Sequence, residues 1–271
     1  MLKDELRRGL KGINFKIMIF IGIFLCIAQT IKHDYSNIIM SYNNYNYFFD
    51  DYIKNGIVSS YESFIFFKLT DISKIFFMIM PVLVSISYAN SYLEDLNSGF
   101  LKSILIRCPK NKYFICKYIA NFIIAGATIA IPLIIDLLIV ISTQASIIPD
   151  MIRDTNLING NLNLNMYMHH PVLYIVLWIF IYFIFAGAIA SIVLSFSIFI
   201  RDKFIVTILP FLLVQAINII FGLIGLNKYN LSNFLFLCTD INLMSMFITF
   251  FVMLMLTFLS FFIGGRNNEA F

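Results

Sequence analysis

Charge is scarce in this 271-residue chain: Asp, Glu, Lys and Arg make up 13%, against 60% hydrophobic and 17% aromatic residues. A soluble domain carries about 25% charge, so little of this chain is built to face water. Glycine (12) and proline (6) are too few for a collagen-like or proline-rich fibre, and the hydrophobic content excludes a disordered chain. Four cysteines, Cys26, Cys108, Cys116 and Cys238, show no CxxC or Cys/His spacing, which argues against a zinc site or a disulfide framework. The three histidines, His33, His169 and His170, form no HExxH pattern, and no GxxxxGK[ST] loop is present to cradle the phosphates of ATP. Ser85, Ser87, Ser191, Ser195 and Ser197 lie in apolar runs with no histidine at their depth to activate them. The chain is therefore expected to be no enzyme and to hold no catalytic residue, cofactor or metal. The net charge of +4 is no sign of nucleic acid, because the basic residues sit at the ends of apolar runs rather than in one patch.

Those runs are what the chain does have. Crossing about 30 Å of hydrocarbon takes roughly 20 apolar residues. Six stretches qualify, at about 17–31, 75–93, 118–143, 171–200, 204–226 and 241–265, and Asp136 is the one acid or base within them. If the N-terminus is cytoplasmic, Lys3, Arg7, Arg8, Lys11, Lys16, Lys102, Arg107, Lys110, Lys112, Lys117, Arg201, Lys203 and Arg266 fall inside. Lys32, Lys54, Lys68, Lys74, Arg153 and Lys228 then fall outside. That imbalance is the positive-inside pattern. The expected fold is an all-α integral membrane protein of one transmembrane domain spanning residues 1–271, with six transmembrane helices and both termini cytoplasmic.

Residues 2–14 place Leu2, Leu6, Leu10 and Ile13 on one stripe, with Arg7, Arg8 and Lys11 between them. This predicts a basic amphipathic helix within residues 1–16, either lying in the membrane interface or serving as a plain charged anchor. The segment 33–74, rich in Asn and Tyr, and the segment 144–170, with Asn161-Leu-Asn-Leu-Asn165, read as outer loops. The stripe Ala186, Gly187, Ala188, Ala190, Ser191 and Ser195 reads as close helix packing. Asp136 costs about 2.5 to 3.5 kcal/mol at the centre of a membrane, so it should face protein or water. It is either a gating or pathway residue or an acid that reaches the outer interface, and Pro132 one turn earlier should free a carbonyl near it.

The loop 94–117 is the most informative segment. Asn97 or Ser98 can cap a short helix, Phe100, Leu101, Ile104 and Leu105 line one side of it, and Pro109 stops it. Amphipathicity alone leaves two uses open, resting on the bilayer or giving a face to a partner. The acids Glu94 and Asp95, then Gly99, the helix 100–106, Arg107-Cys108-Pro109 and Lys117 resemble the first cytoplasmic loop of type-2 ABC transporter permeases. The N-terminal helix, the six spans and the very short second inner loop Arg201-Asp202-Lys203 fit the same plan.

The resemblance implies the membrane subunit of a bacterial ABC exporter in the plasma membrane, without an ATPase site of its own. Its partners would be a separate ATP-binding cassette ATPase and a second permease chain, as a homodimer or heterodimer contacting through faces that include spans one and five, in membrane lipid and with no nucleic acid. Glu94, Asp95, Asn97, Gly99, Phe100, Leu101, Ile104, Leu105 and Arg107 would couple to the ATPase. The cargo would be hydrophobic or amphipathic, such as a peptide or toxin. The resemblance also raises re-entrant helices in 219–240, where Gly222, Gly225 and Asn227 to Asn230 can break a helix, against one long span followed by a loop. The rival function is a non-transporting membrane immunity or sensor protein that binds a peptide, which needs neither coupling helix nor ATPase.

Overall fold

Gly12 divides the first helical stretch in two. The computed structural model describes residues 1–34, 59–65, 70–144, 146, 148, 164–226, 229–231, 234 and 243–267, and among these all regular structure is helical. Helix α1 (Leu2–Lys11) ends where Gly12 adopts an extended conformation, φ −58° and ψ 141°, and α2 (Ile13–Gln29) begins at the next residue. The sequence alone runs the first helix to residue 14 and starts the first span at 17; the elbow at Gly12 moves both bounds. A Cβ there would lie 3.0 Å from the carbonyl oxygen of Gly9.

A short helix, α3 (Ser60–Ser63), precedes the second span. That span is α4 (Asp71–Val84), a π-helical stretch Ser85–Ala89, and α5 (Ser91–Asn97). Thr70 starts it by accepting a hydrogen bond from the Ser73 amide at 3.2 Å. The wide turn follows Pro81, whose carbonyl accepts from Ser85 Oγ at 2.5 Å. Then come α6 (Phe100–Arg107), α7 (Lys110–Thr143), α8 (Leu164–His169), α9 (Pro171–Phe196), α10 (Lys203–Ile224) and α11 (Leu243–Asn267). Asp202 caps α10 by accepting from the amides of Phe204 and Ile205.

Among the described residues, six helical segments are long and apolar enough to cross a membrane: Ile13–Lys32, Asp71–Asn97, Lys110–Thr143, Pro171–Phe196, Lys203–Ile224 and Met244–Gly265. At 1.5 Å per residue α7 is about 50 Å long, so it overshoots the hydrocarbon and carries its first turns past one membrane boundary. The second, third and fourth spans form the inside of the bundle, with 61%, 61% and 56% of their most apolar windows buried. The first, fifth and sixth are peripheral at 28%, 17% and 22%.

The central contact is between α7 and α9, and it is reciprocal. Gly126 of α7 receives the ring of Phe183, and Gly187 of α9 receives the ring of Phe122; a Cβ at either glycine would sit 2.6 Å from ring carbons. The small-residue stripe of α9 is thus packing surface. Gly22 of α2 likewise meets Pro132 of α7, where a Cβ on the glycine would lie 2.7 Å from the proline Cγ. Gly225, at φ 81°, ends α10, and Asn230 Nδ2 then donates to the carbonyl of Asn218 at 3.4 Å. The chain has turned back along α10, and Leu231 and Phe234 lie in the main core, Phe234 6.1 Å from the ring of Phe185. The Asn/Tyr-rich stretch 42–47, residues 149–163, and 235–242 with Cys238 lie outside the described residues.

Candidate functional site

Where α7 leaves the bundle, four charged side chains from three segments meet, and three of them are buried. Lys117, two turns into α7 and fully buried, donates to Glu5 of α1 at 3.0 Å and to Asp95 of α5 at 2.6 Å. Asp95, also fully buried, accepts from Arg8 Nη1 at 2.5 Å and from the Tyr113 hydroxyl at 2.8 Å. The Tyr88 hydroxyl donates to Glu5. The Lys117 ammonium lies 5.1 Å from the centre of the Tyr88 ring and 6.0 Å from that of Tyr113.

Two acids and two bases cancel, and each carboxylate has a cation and a phenol. Such closure is what makes burying these charges tolerable. Local structure sets it up: the π-helical stretch carries Tyr88, Tyr113 and Lys117 share one face of α7 at a spacing of four, and Glu5 and Gly9 form the buried line of α1. A Cβ at Gly9 would meet Ile124 at 2.0 Å, so the glycine brings α1 close enough for Glu5 to reach Lys117. Burial works against the Arg8 charge, but the bond to Asp95 and the field of its carboxylate outweigh it and raise the guanidinium pKa further.

Sequence reasoning places Asp95 and Lys117 in a loop and misses Glu5, Arg8, Tyr88 and Tyr113 as partners. A single acid, Glu5, one turn ahead of Arg8 and Gly9 is the available signal. The residues assigned to coupling divide. Asp95 is inside the cluster; Glu94, its neighbour, is half-buried and meets Lys203 at 3.4 Å. Asn97 ends α5 and caps nothing, since α6 starts from Gly99 in the left-handed region at φ 71° with no side-chain cap. A Cβ on Gly99 would meet nothing within 4 Å, so the backbone angle rather than close approach calls for glycine there.

Three of the apolar residues of α6 are used internally. Leu101 is buried, and Ile104 and Leu105 pack on the cluster of Tyr92, Tyr113, Phe114 and Phe261. At 100° per residue the outward arc holds Phe100, Arg107, Ser103, Ile106 and Lys102. Ile106 is 86% exposed and Phe100 48%, with the Arg8 guanidinium 5.6 Å from the Phe100 ring centre. Arg8, Ser98, Gly99, Phe100 and Ser103 line an open groove of about 550 Å³.

Asp136 is elsewhere, two turns from the far end of α7. It is 1% exposed, and its Oδ2 accepts from the backbone amide of Ile65 at 3.2 Å. The segment after α3 therefore covers it, and its described partner comes from there rather than from a carbonyl freed by Pro132. Among the described residues no three His, Cys, Asp or Glu side chains are placed to hold a metal ion.

The six apolar spans among the described residues, three inside and three at the periphery, define the class: the chain is a multi-pass membrane protein whose described regular structure is all helical. No protein-family model, no curated protein and no solved structure matches it.

Proposed function

We propose that the chain is the membrane subunit of an ATP-driven exporter in the bacterial plasma membrane, and that α6 is the element through which a separate ATPase drives it. The observation that carries this reading is the mounting of α6. Its inner side is sunk in the core, the buried cluster ties the segment just before it to α7 and α1, and its outward arc of Phe100, Ser103, Ile106, Lys102 and Arg107 remains uncovered. A push on that arc reaches the second and third spans through rigid contacts, which is what mechanical coupling requires. The sequence holds no phosphate-binding loop, so the ATPase is a second protein. The largely uncovered α10 and α2 offer surface for a second permease chain. The cargo is a hydrophobic or amphipathic molecule such as a peptide. In this arrangement α1 lies at the inner membrane surface, with Leu10 turned to lipid and Glu5 to protein, and Ile13 at the start of α2 is turned to lipid as well.

Two outcomes test the reading. Replacing Phe100 and Ile106 together by Asp puts unpartnered charge into a desolvated contact and should cut co-purifying ATPase activity by at least about tenfold, one 1.4 kcal/mol step. Because neither residue is buried, membrane insertion and thermal stability should stay near wild type; unchanged ATPase association would remove α6 from the interface. Cys108, partly exposed at the end of α6, should resist a membrane-impermeant maleimide in intact cells and react in inside-out vesicles. Labelling in intact cells reverses the orientation.

A further inference from the structure

The elbow at Gly12 opens, beside the charge cluster, into a cleft of about 380 Å³ lined by Arg8, Asn14, Ile86, Asn90, Ser91 and Glu94 among others. One polar atom in this lining, Asn90 Oδ1, is buried and makes no hydrogen bond within the protein, while Nδ2 of the same amide donates to Thr207 Oγ1 at 2.6 Å. Buried polar groups are rarely left so, and an unpaired amide oxygen in the wall of a cleft points to a ligand that donates. The ionic groups are of both signs. Glu94 is half-exposed and its contact with Lys203, at 3.4 Å, is long, which leaves its carboxylate available. Arg8 spends Nη1 on Asp95 and keeps its other N–H donors, with 39% of its side chain exposed.

The cleft sits at the end of the first span and in the last turns of the second, the depth of lipid headgroups. Directly along α2 from it, Ile13, Ile17, Phe20 and Phe24 fall at spacings of four, three and four on one helix face, and their exposures are 72%, 45%, 70% and 62%. A polar pocket with both charges above an apolar rail matches an amphiphile with a zwitterionic head.

We infer that this cleft binds the headgroup of an aminophospholipid. The primary ammonium donates to Asn90 Oδ1 and the Glu94 carboxylate; the phosphodiester meets Arg8 and Asn14; the acyl chains run along α2. A choline head has the charge but no N–H to donate, and a glycerol head donates through its hydroxyls but brings no cation to Glu94, so neither meets both the orphaned amide oxygen and the carboxylate. The site stands independently of the transport reading.

The test uses the purified, delipidated full chain and native mass spectrometry with four probes: short-chain phosphatidylethanolamine, phosphatidylcholine and phosphatidylglycerol of equal chain length, and soluble glycerophosphoethanolamine. The ethanolamine lipid should bind about tenfold tighter than either other lipid, the worth of one charge-assisted hydrogen bond. It should also bind far tighter than its soluble headgroup. Glu94→Gln should erase the preference over phosphatidylcholine. Equal binding of the three lipids, or a preference over phosphatidylcholine that persists in Glu94→Gln, overturns the site. Equal affinity for the soluble headgroup overturns its membrane source.

Discussion

Lys117→Met should destabilise the protein by about 3 to 5 kcal/mol, the range for removing one partner of a buried ion pair. The side chain is fully buried and nearly the same length as methionine, so the loss is electrostatic rather than a cavity. Without the ammonium, Glu5 keeps the Tyr88 hydroxyl and Asp95 keeps Arg8 and Tyr113, but the cluster carries an uncompensated negative charge. Adding Glu5→Gln restores neutrality, because the remaining Asp95 and Arg8 cancel. The double variant should therefore be more stable than Lys117→Met alone, the reverse of additivity for two harmful changes. Thermal unfolding of the purified variants measures both. A Lys117→Met protein as stable as wild type would mean the cluster holds nothing together.

Gly126→Ala and Gly187→Ala should each cost about 1 to 3 kcal/mol by overpacking, unusual for so small a change. In each case the new methyl lands 2.6 Å from two carbons of a phenylalanine ring and 2.8 Å from a third, and a ring edge cannot bend aside as the tip of a long side chain can. The remedy is specific. Phe122→Leu should recover part of the loss in Gly187→Ala and none of it in Gly126→Ala, where Phe183→Leu is the matching change. Unfolding of the four single, two matched double and two mismatched double variants in mixed detergent reads the pattern; single alanine variants with wild-type stability would contradict the α7–α9 contact.

Much of this bundle is legible in the sequence, because a span is identified by length and apolarity, which one chain displays without knowing its neighbours. The stripe at Gly187 is legible for the same local reason. The cluster is not. A lysine at the edge of an apolar run reads as the end of a span, which is where the sequence alone puts Lys117; it lies instead two turns inside α7, since carboxylates 112 and 22 residues away compensate it. Glu5 is hidden by the apolar stripe Leu2, Leu6, Leu10 and Ile13, whose last two members turn out to be exposed, Ile13 beyond the end of α1, while Glu5 and Gly9 are the buried line of that helix. Amphipathicity also names the apolar side of α6 without saying what it meets, and Leu101, Ile104 and Leu105 meet the protein's own aromatic core. The contact of Asp136 with Ile65, 71 residues distant, is of the same long-range kind.

The exposed tip of α6 offers the most direct test of the coupling role. A photo-reactive residue placed at 106, where the isoleucine is 86% exposed, reports what touches that arc in living cells. A partner-facing helix should give a covalent adduct with an ATP-binding protein, and the adduct should vanish when Phe100 is replaced by Asp. Adducts with lipid alone would mean that α6 rests on the bilayer, and the exporter reading would lose its coupling element.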